Sequence, residues 1–387
     1  MAKKKIKQAK PDVSVTRITK DTNVLEEAKF RYDWIFDNFD HVGVAVSGGK
    51  DSTVVLELAI EKARERGRLP VDVLFIDQEG ELQHTIDYFY RLKERKDEIR
   101  LHWFQIPIKI NVSSNSTENY LYCWGEDFKD KWIRPKEPDS IHENIYAPAD
   151  TYFNDLFDAI CVKHFPYEKF ALIGGMRAEE APKRLKGLTT GDVYKGVTWG
   201  KPFAGAKNHY VFYPLYDWSY IDIWKYIAET KCDYNKIYDL MYNIGLPTTA
   251  MRVSSLFHEN SIGSFGYLAE LERDNWNKIV NRIYGANTFK NAKAIYECPK
   301  ELPYMFQSWR EYSEYLLENL VNDDKREFYR EEVDKAWKWF QKSVNKFKDQ
   351  KGSKDNHFWQ VVVSTYLKND FCLTLLRNFL ISLNLKP

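Results

Sequence analysis

Clustered cysteine is what this chain most clearly lacks. Its five cysteines, Cys123, Cys161, Cys232, Cys298 and Cys372, are scattered and odd in number, with no Cys-x-x-Cys pair. That pattern argues against structural disulfides and agrees with a reducing compartment. No apolar run is long enough to span a bilayer, and Met1-Ala2-Lys3-Lys4-Lys5 lacks the apolar stretch of a signal peptide. The expectation is a soluble, cytoplasmic protein. Net charge is missing too. Lys and Arg total 57 against 56 Asp and Glu, so bulk electrostatics points to neither nucleic acid nor membrane. Length and aromatic rings are plentiful: 387 residues with 12 Trp and 25 Tyr suffice for two domains and a sizeable core. Cores and interfaces use such rings more often than base stacking does.

One stretch organises the rest. Val42-Gly43-Val44-Ala45-Val46 reads as a short buried strand, Ser47-Gly48-Gly49 as a tight turn, and Thr53-Val54-Val55-Leu56 as the opening of an apolar-faced helix. Glycines let the backbone approach an anion and aim successive N–H groups at it. A helix start adds free donors and a positive dipole end. Lys50 supplies a point charge, and Asp51 an oxygen ligand for magnesium. A Walker A loop is excluded: Val44 stands where its first glycine belongs, and Asp51 where its Ser or Thr belongs.

Around that loop the chain alternates helices and apolar strands. Residues 1–20 read as a flexible basic arm, with a weak phosphate-backbone contact as the alternative to a solvated tail. A helix capped near Asn23 runs to about Phe39, the loop helix ends at Gly67, and Val71–Ile76 is a strand too apolar to face water. Asp77-Gln78-Glu79-Gly80-Glu81 leaves that strand where ligands bind in open α/β sheets. Leu101–Gln105 is a third strand, and Tyr152 to Phe165 a helix. Residues 107–148 read as a lid, a binding insertion or simple packing, their aromatics arguing against disorder. After a strand at Phe170–Ile173, Gly174-Gly175-Met176-Arg177-Ala178-Glu179-Glu180 falls beside the first loop, making Arg177, Lys183 and Arg184 candidate phosphate clamps. Gly191 to Gly205 reads as a mobile flap. Val211–Trp218 closes the domain before a helix from Ser219 to about Glu229. The division expected is 1–20, 21–249 and a mainly helical 250–387.

Ser47–Ser52 match the SGGxDS signature of the PP-loop ATP pyrophosphatases, which cut ATP between its α and β phosphates. With Phe75-Ile76-Asp77, the Gly174–Glu180 segment and Pro214-Leu215-Tyr216-Asp217-Trp218 in order, residues 25–245 resemble the phosphoadenosine phosphosulfate (PAPS) reductase-like branch. The resemblance implies an adenine nucleotide α-hydrolase fold, a parallel sheet between helices. It also implies that Ser47, Gly48, Gly49, Lys50, Asp51 and Ser52 hold nucleotide phosphates, with Asp77 near adenine and ribose. Gly175 would lie in the site, and Arg177 with Arg184 would reach phosphate or sulfate. The reductases' Glu-Cys-Gly-x-His motif is absent: Cys298 sits before Pro299, and Cys372 in an apolar helical run. Paired cysteines for the family's iron–sulfur form are absent too, so no cluster is expected.

Residues 250–387 resemble the extra domain of unknown function carried by some bacterial members, including the immunoglobulin-binding regulator A proteins, which act with a ParB/sulfiredoxin-like partner. His258-Glu259 is a base or metal-ligand candidate against a surface pair, and Trp337–Trp339 a packing region. The leading expectation is an enzyme that binds ATP and magnesium and adenylylates an acceptor, using Lys50, Asp51 and Arg177, with no evident general base. A sulfonucleotide enzyme using a partner's thiol, and a nucleotide-sensing regulator, are the alternatives. The acceptor and oligomeric state stay open.

Overall fold

The computed structural model describes residues 21–383 apart from 113–119, 149–150, 152, 181, 204–205, 207, 249–250, 254–255, 258–265, 285, 288–297, 322, 345–350, 369 and 371–372. The arm at 1–20, His258-Glu259 and Cys372 lie outside the described residues, as does the side chain of Lys183.

The strands are β1 (His41–Ala45), β2 (Val71–Ile76), β3 (Ile99–Phe104), β4 (Ile108–Asn111), β5 (Tyr120–Cys123), β6 (Phe170–Ile173), β7 (Gly200–Pro202) and β8 (His209–Phe212). Six of them form one sheet in the order β3-β2-β1-β6-β8-β7, parallel except for β7 on the edge. Its strands are short and apolar, as a sheet covered on both faces requires. Successive residues point to opposite faces. Val73 and Phe75 of β2 join one core with α1 (Val24–Asn38) and α2 (Lys50–Glu65). Leu74 and Ile76 join the other, where α3 (Gln83–Lys93) gives way to α4 (Phe153–Lys163). The strand order reverses between β1 and β6, so the loops after those two strands flank one crevice.

Two stretches differ from expectation. Within 107–148, β4 and β5 pair as an antiparallel hairpin, and Trp124, Ile133 and Tyr146 are buried in the second core. The described part of Gly191–Gly205 packs on the sheet rather than forming a flap: Tyr194 and Trp199 are buried, and β7 pairs with β8. Rings of that size, once buried, hold a glycine-rich stretch in place.

After β6 come α5 (Pro182–Thr189), α6 (Tyr220–Thr230) and α7 (Ile237–Asn243). Ser219 and Asp222 form a reciprocal capping box at the start of α6. Arg31 of α1 holds Asp217 through two hydrogen bonds of 2.7 Å and also donates to the Pro214 carbonyl. The Pro214–Trp218 segment is thus clamped to α1.

The residues after 245 divide between two cores. Leu246, Met251, Val253, Leu256 and Phe257 pack with β2 and β3, together with residues of α8 (Leu268–Leu271) and α9 (Arg273–Arg282). A separate core unites α10 (Trp309–Asn319), α11 (Asp323–Val344), α12 (Lys351–Leu367) and α13 (Thr374–Ser382). There Trp337 packs against Phe340, Phe358 and Trp359, while Trp339 stays 40% exposed. No helix among the described residues is long and apolar enough to cross a membrane.

Candidate functional site

Gly49 stands at the cap position before α2 and has no side chain to cover the first-turn amides at the crevice. The loop before it is tightly held. Gly48 has a φ of 74°, and a Cβ there would stand 2.7 Å from Thr85 Cγ2. Only glycine fits both demands. Asn235 donates to the Gly48 carbonyl at 3.1 Å, and the Lys50 amide donates to the Tyr238 hydroxyl at 3.2 Å. Ser52 Oγ donates to the Gly49 carbonyl at 2.9 Å and accepts from the Ser47 amide at 3.3 Å. At Gly175, after β6, a Cβ would fall 2.9 Å from the Ser52 amide nitrogen. The absence of that Cβ lets the two loops touch.

Between them lies a cavity of about 660 Å³, lined by Ser47, Gly49, Lys50, Asp51, Ser52, Gly175, Arg177 and Arg184. Almost every residue expected to hold phosphate therefore meets in one place, and Gly48 lies just beneath. The cations are matched in place. Lys50 Nζ is 2.9 Å from Asp51 Oδ2, Arg177 binds the other Asp51 oxygen and Glu179 at 2.9 Å, and Arg184 meets Glu180 at 3.1 Å. Lys50 and Arg177 are buried, at 7% and 4% exposure. Glu179 also accepts from the Tyr220 amide at 2.7 Å, tying the cluster to the start of α6.

Magnesium usually takes one or two carboxylates, several waters and substrate phosphates rather than a full protein cage. No ready-made cluster of three ligating side chains occurs among the described residues. Asp51, at the cavity wall and at the helix start, is an oxygen donor of the right kind for that partial shell. The residues present fit the ion once Lys50 and Arg177 turn to phosphate.

Asp77 is elsewhere. It is fully buried and spends its carboxylate on Trp103 Nε1 and Gln105 Nε2, each at 3.0 Å, on the Glu79 amide at 2.9 Å and on Arg134. A carboxylate so saturated orders the turn and has no lone pair to spare for ribose. Glu79, equally buried, is paired with Arg282 of α9 at 2.7 Å. Glu81 faces a second, smaller hollow of about 110 Å³ beside Ser47, walled by Ala45, Leu74, Ile76, Phe153 and Phe157. Burial first, then the Asp77 charge, pushes its carboxyl up to about 8.

The sequence reading missed several members of the site. Tyr220, Tyr238, Thr248, Met251, Arg252 and Val253 all line the main cavity. Their types carry no motif. For Arg252 and Val253, the only available signal was the proximity of a buried stretch just past the expected domain limit.

The fold is thus a mainly parallel sheet between helices, with a glycine-rich loop at its reversal point. The chain belongs to the phosphoadenosine phosphosulfate reductase domain family, which matches residues 41–246. Residues 245–372 match a domain of unknown function (DUF3440). An uncharacterized protein of Escherichia coli strain K12, YbdN, is 27% identical over 93% of this chain and 91% of its own length. Among solved structures, the Candida auris PAPS reductase in a phosphate complex is 17% identical, over 55% of this chain and 84% of that one, with a TM-score of 0.30. The Candida glabrata FMN adenylyltransferase with FMN and an ATP analogue is 14% identical, over 57% and 64%, with a TM-score of 0.36.

Proposed function

We propose that the chain binds ATP with magnesium and transfers the adenylyl group to an acceptor. The observation that carries this reading is the meeting of the Ser47–Ser52 loop with Arg177 and Arg184 around one cavity. The adenine would take the apolar hollow beside Ser47, and the triphosphate would run along the loop amides into the larger cavity. There Lys50 and Arg177 would exchange Asp51 for phosphate oxygens, Arg177 by its two-pronged fork. Asp51, with the phosphates, would hold magnesium, which would supply charge neutralisation for the leaving group. An acceptor oxygen attacks the α-phosphorus and the bond to the bridging oxygen of the β-phosphate breaks. Its electron pair leaves with pyrophosphate, and the acceptor's proton passes to water. The loop's share is positioning and preorganised donors, without reorganisation at the moment of transfer.

The family match favours a second reading, in which PAPS or adenosine phosphosulfate is the ligand. It would draw on a thiol from another protein, since none of the described cysteines, Cys123, Cys161, Cys232 and Cys298, lines the cavity and burial pushes all four thiols up. Calorimetric titration of ATP–magnesium, PAPS and adenosine phosphosulfate into wild type and Lys50→Ala separates the two. ATP binding weakened at least about tenfold by Lys50→Ala supports adenylyl transfer. Selective sulfonucleotide binding replaces it with sulfur chemistry.

A further inference from the structure

Arg252 is the cation of the cavity wall that no carboxylate answers among the described residues. Lys50, Arg177 and Arg184 each have an acidic partner within 3.1 Å. Arg252 lines the same cavity, is exposed, and among the described residues makes no ion pair or hydrogen bond. Surface arginines are commonly hydrated and unpaired, so exposure alone decides nothing. Its setting is different. Met251 and Val253 on either side are buried at 4% and 3% exposure. Val253 Cγ2 stands 3.5 Å from where a Cβ on Gly49 would lie. The backbone is thus held against the phosphate loop, with Arg252 itself exposed on the cavity wall. The cavity also exposes Ile221, at 73%, beside Tyr220. An apolar surface and a free planar cation therefore share one hollow.

We propose that Arg252 binds an anionic group on the acceptor, so that the molecule joined to the nucleotide is an organic oxyanion with an apolar portion. The subsite is supplied by the segment beyond residue 245, and the phosphate cradle by the segment before it. The word acceptor rests on the adenylyl-transfer reading; the anion site itself does not. The nucleotide's own phosphates already have Lys50, Arg177 and the loop amides. The bound anionic group keeps its charge throughout and positions a different oxygen of the acceptor for attack.

The test uses the full chain, with and without α,β-methylene ATP and magnesium. Benzoate and phenyl phosphate are the probes and benzamide the uncharged control, all read by calorimetry. Millimolar binding of at least one anion, weakened about tenfold or more by Arg252→Ala and less by Arg252→Lys, is expected, with benzamide bound as weakly as benzoate to the alanine variant. Preference between the two anions distinguishes carboxylate from phosphate. Nucleotide affinity should change less than about threefold on Arg252→Ala. Anion binding equal in both proteins, or undetectable in the millimolar range, overturns the proposal. So does a tenfold loss of nucleotide affinity on Arg252→Ala with anion binding intact. Failure of wild type to bind the ATP analogue refutes the nucleotide reading, and the anion titrations on the free chain still decide the role of Arg252.

Discussion

Glu81 shows what burial does to one carboxyl group. Asp77 and Glu79 are answered by Arg134 and Arg282, whereas among the described residues Glu81 has only the Gln78 amide, at 3.4 Å. Its folded-state value of about 8 lies above the ordinary 4.5, so the folded chain holds a proton that the unfolded chain has released. Stability contributed this way is present below the unfolded value and declines as pH rises through 8. Glu81→Gln keeps the shape and removes the titration. It should match wild type in unfolding free energy near pH 4 and exceed it progressively towards pH 8, by about 1–3 kcal/mol. A pH-independent difference, measured by thermal unfolding across that range, would set the idea aside. At this scale the sequence was legible where neighbours along the chain act together: Ser47 through Ser52 are consecutive, and all serve one loop. It was illegible where partners are distant. The side chains that bond Asp77 lie at positions 103, 105 and 134, and nothing local to Asp77 announces them.

At the scale of elements, the segment past residue 245 is fastened to the acidic turn by shape and by charge. The ring of Phe257 occupies the space of a missing side chain, since a Cβ on Gly80 would fall 2.0 Å from its Cε2. Arg282 at the end of α9 pairs with Glu79, both at 5% side-chain exposure or less. Glu272, just before α9, accepts from the Gln83 and His84 amides at 2.7 and 2.9 Å and so caps α3 from outside. Phe257→Ala should cost about 3–5 kcal/mol through the cavity left behind. Arg282→Leu should cost a similar 3–5 kcal/mol, because it strands the Glu79 carboxylate in the core. Denaturant unfolding of both variants checks this, and losses below 1 kcal/mol would mean the segment is only loosely attached. Alternating strands and helices were readable from hydrophobic period. The β4–β5 hairpin and the docking of α9 were not, because each depends on burial against distant elements rather than on local pattern.

Over the whole molecule, two family segments meet two cores without coinciding with them. Described residues between 251 and 286 share a core with the main sheet, and described residues between 309 and 380 build a core of their own. A mainly helical stretch beginning near 250 was expected from the sequence. That the next stretch would close back on the site was not, since burial against β2 leaves the same apolar signature as burial within a helical bundle. Charge is organised in the same self-contained way, with a formal total of +1 and the cavity's Lys50, Arg177 and Arg184 already paired. This pairing has a kinetic meaning. With three of its four cations cancelled within a few ångströms, leaving Arg252, the site casts only a weak field beyond the Debye length and draws an anion in little from afar. Stopped-flow capture of a fluorescent ATP analogue should vary less than about threefold in association rate between roughly 50 and 300 mM salt, against the steep fall of a steered encounter. The slow event is then the exchange of partners at Asp51. The protein would choose its ligand after contact, by what can displace a carboxylate, and not by what arrives first.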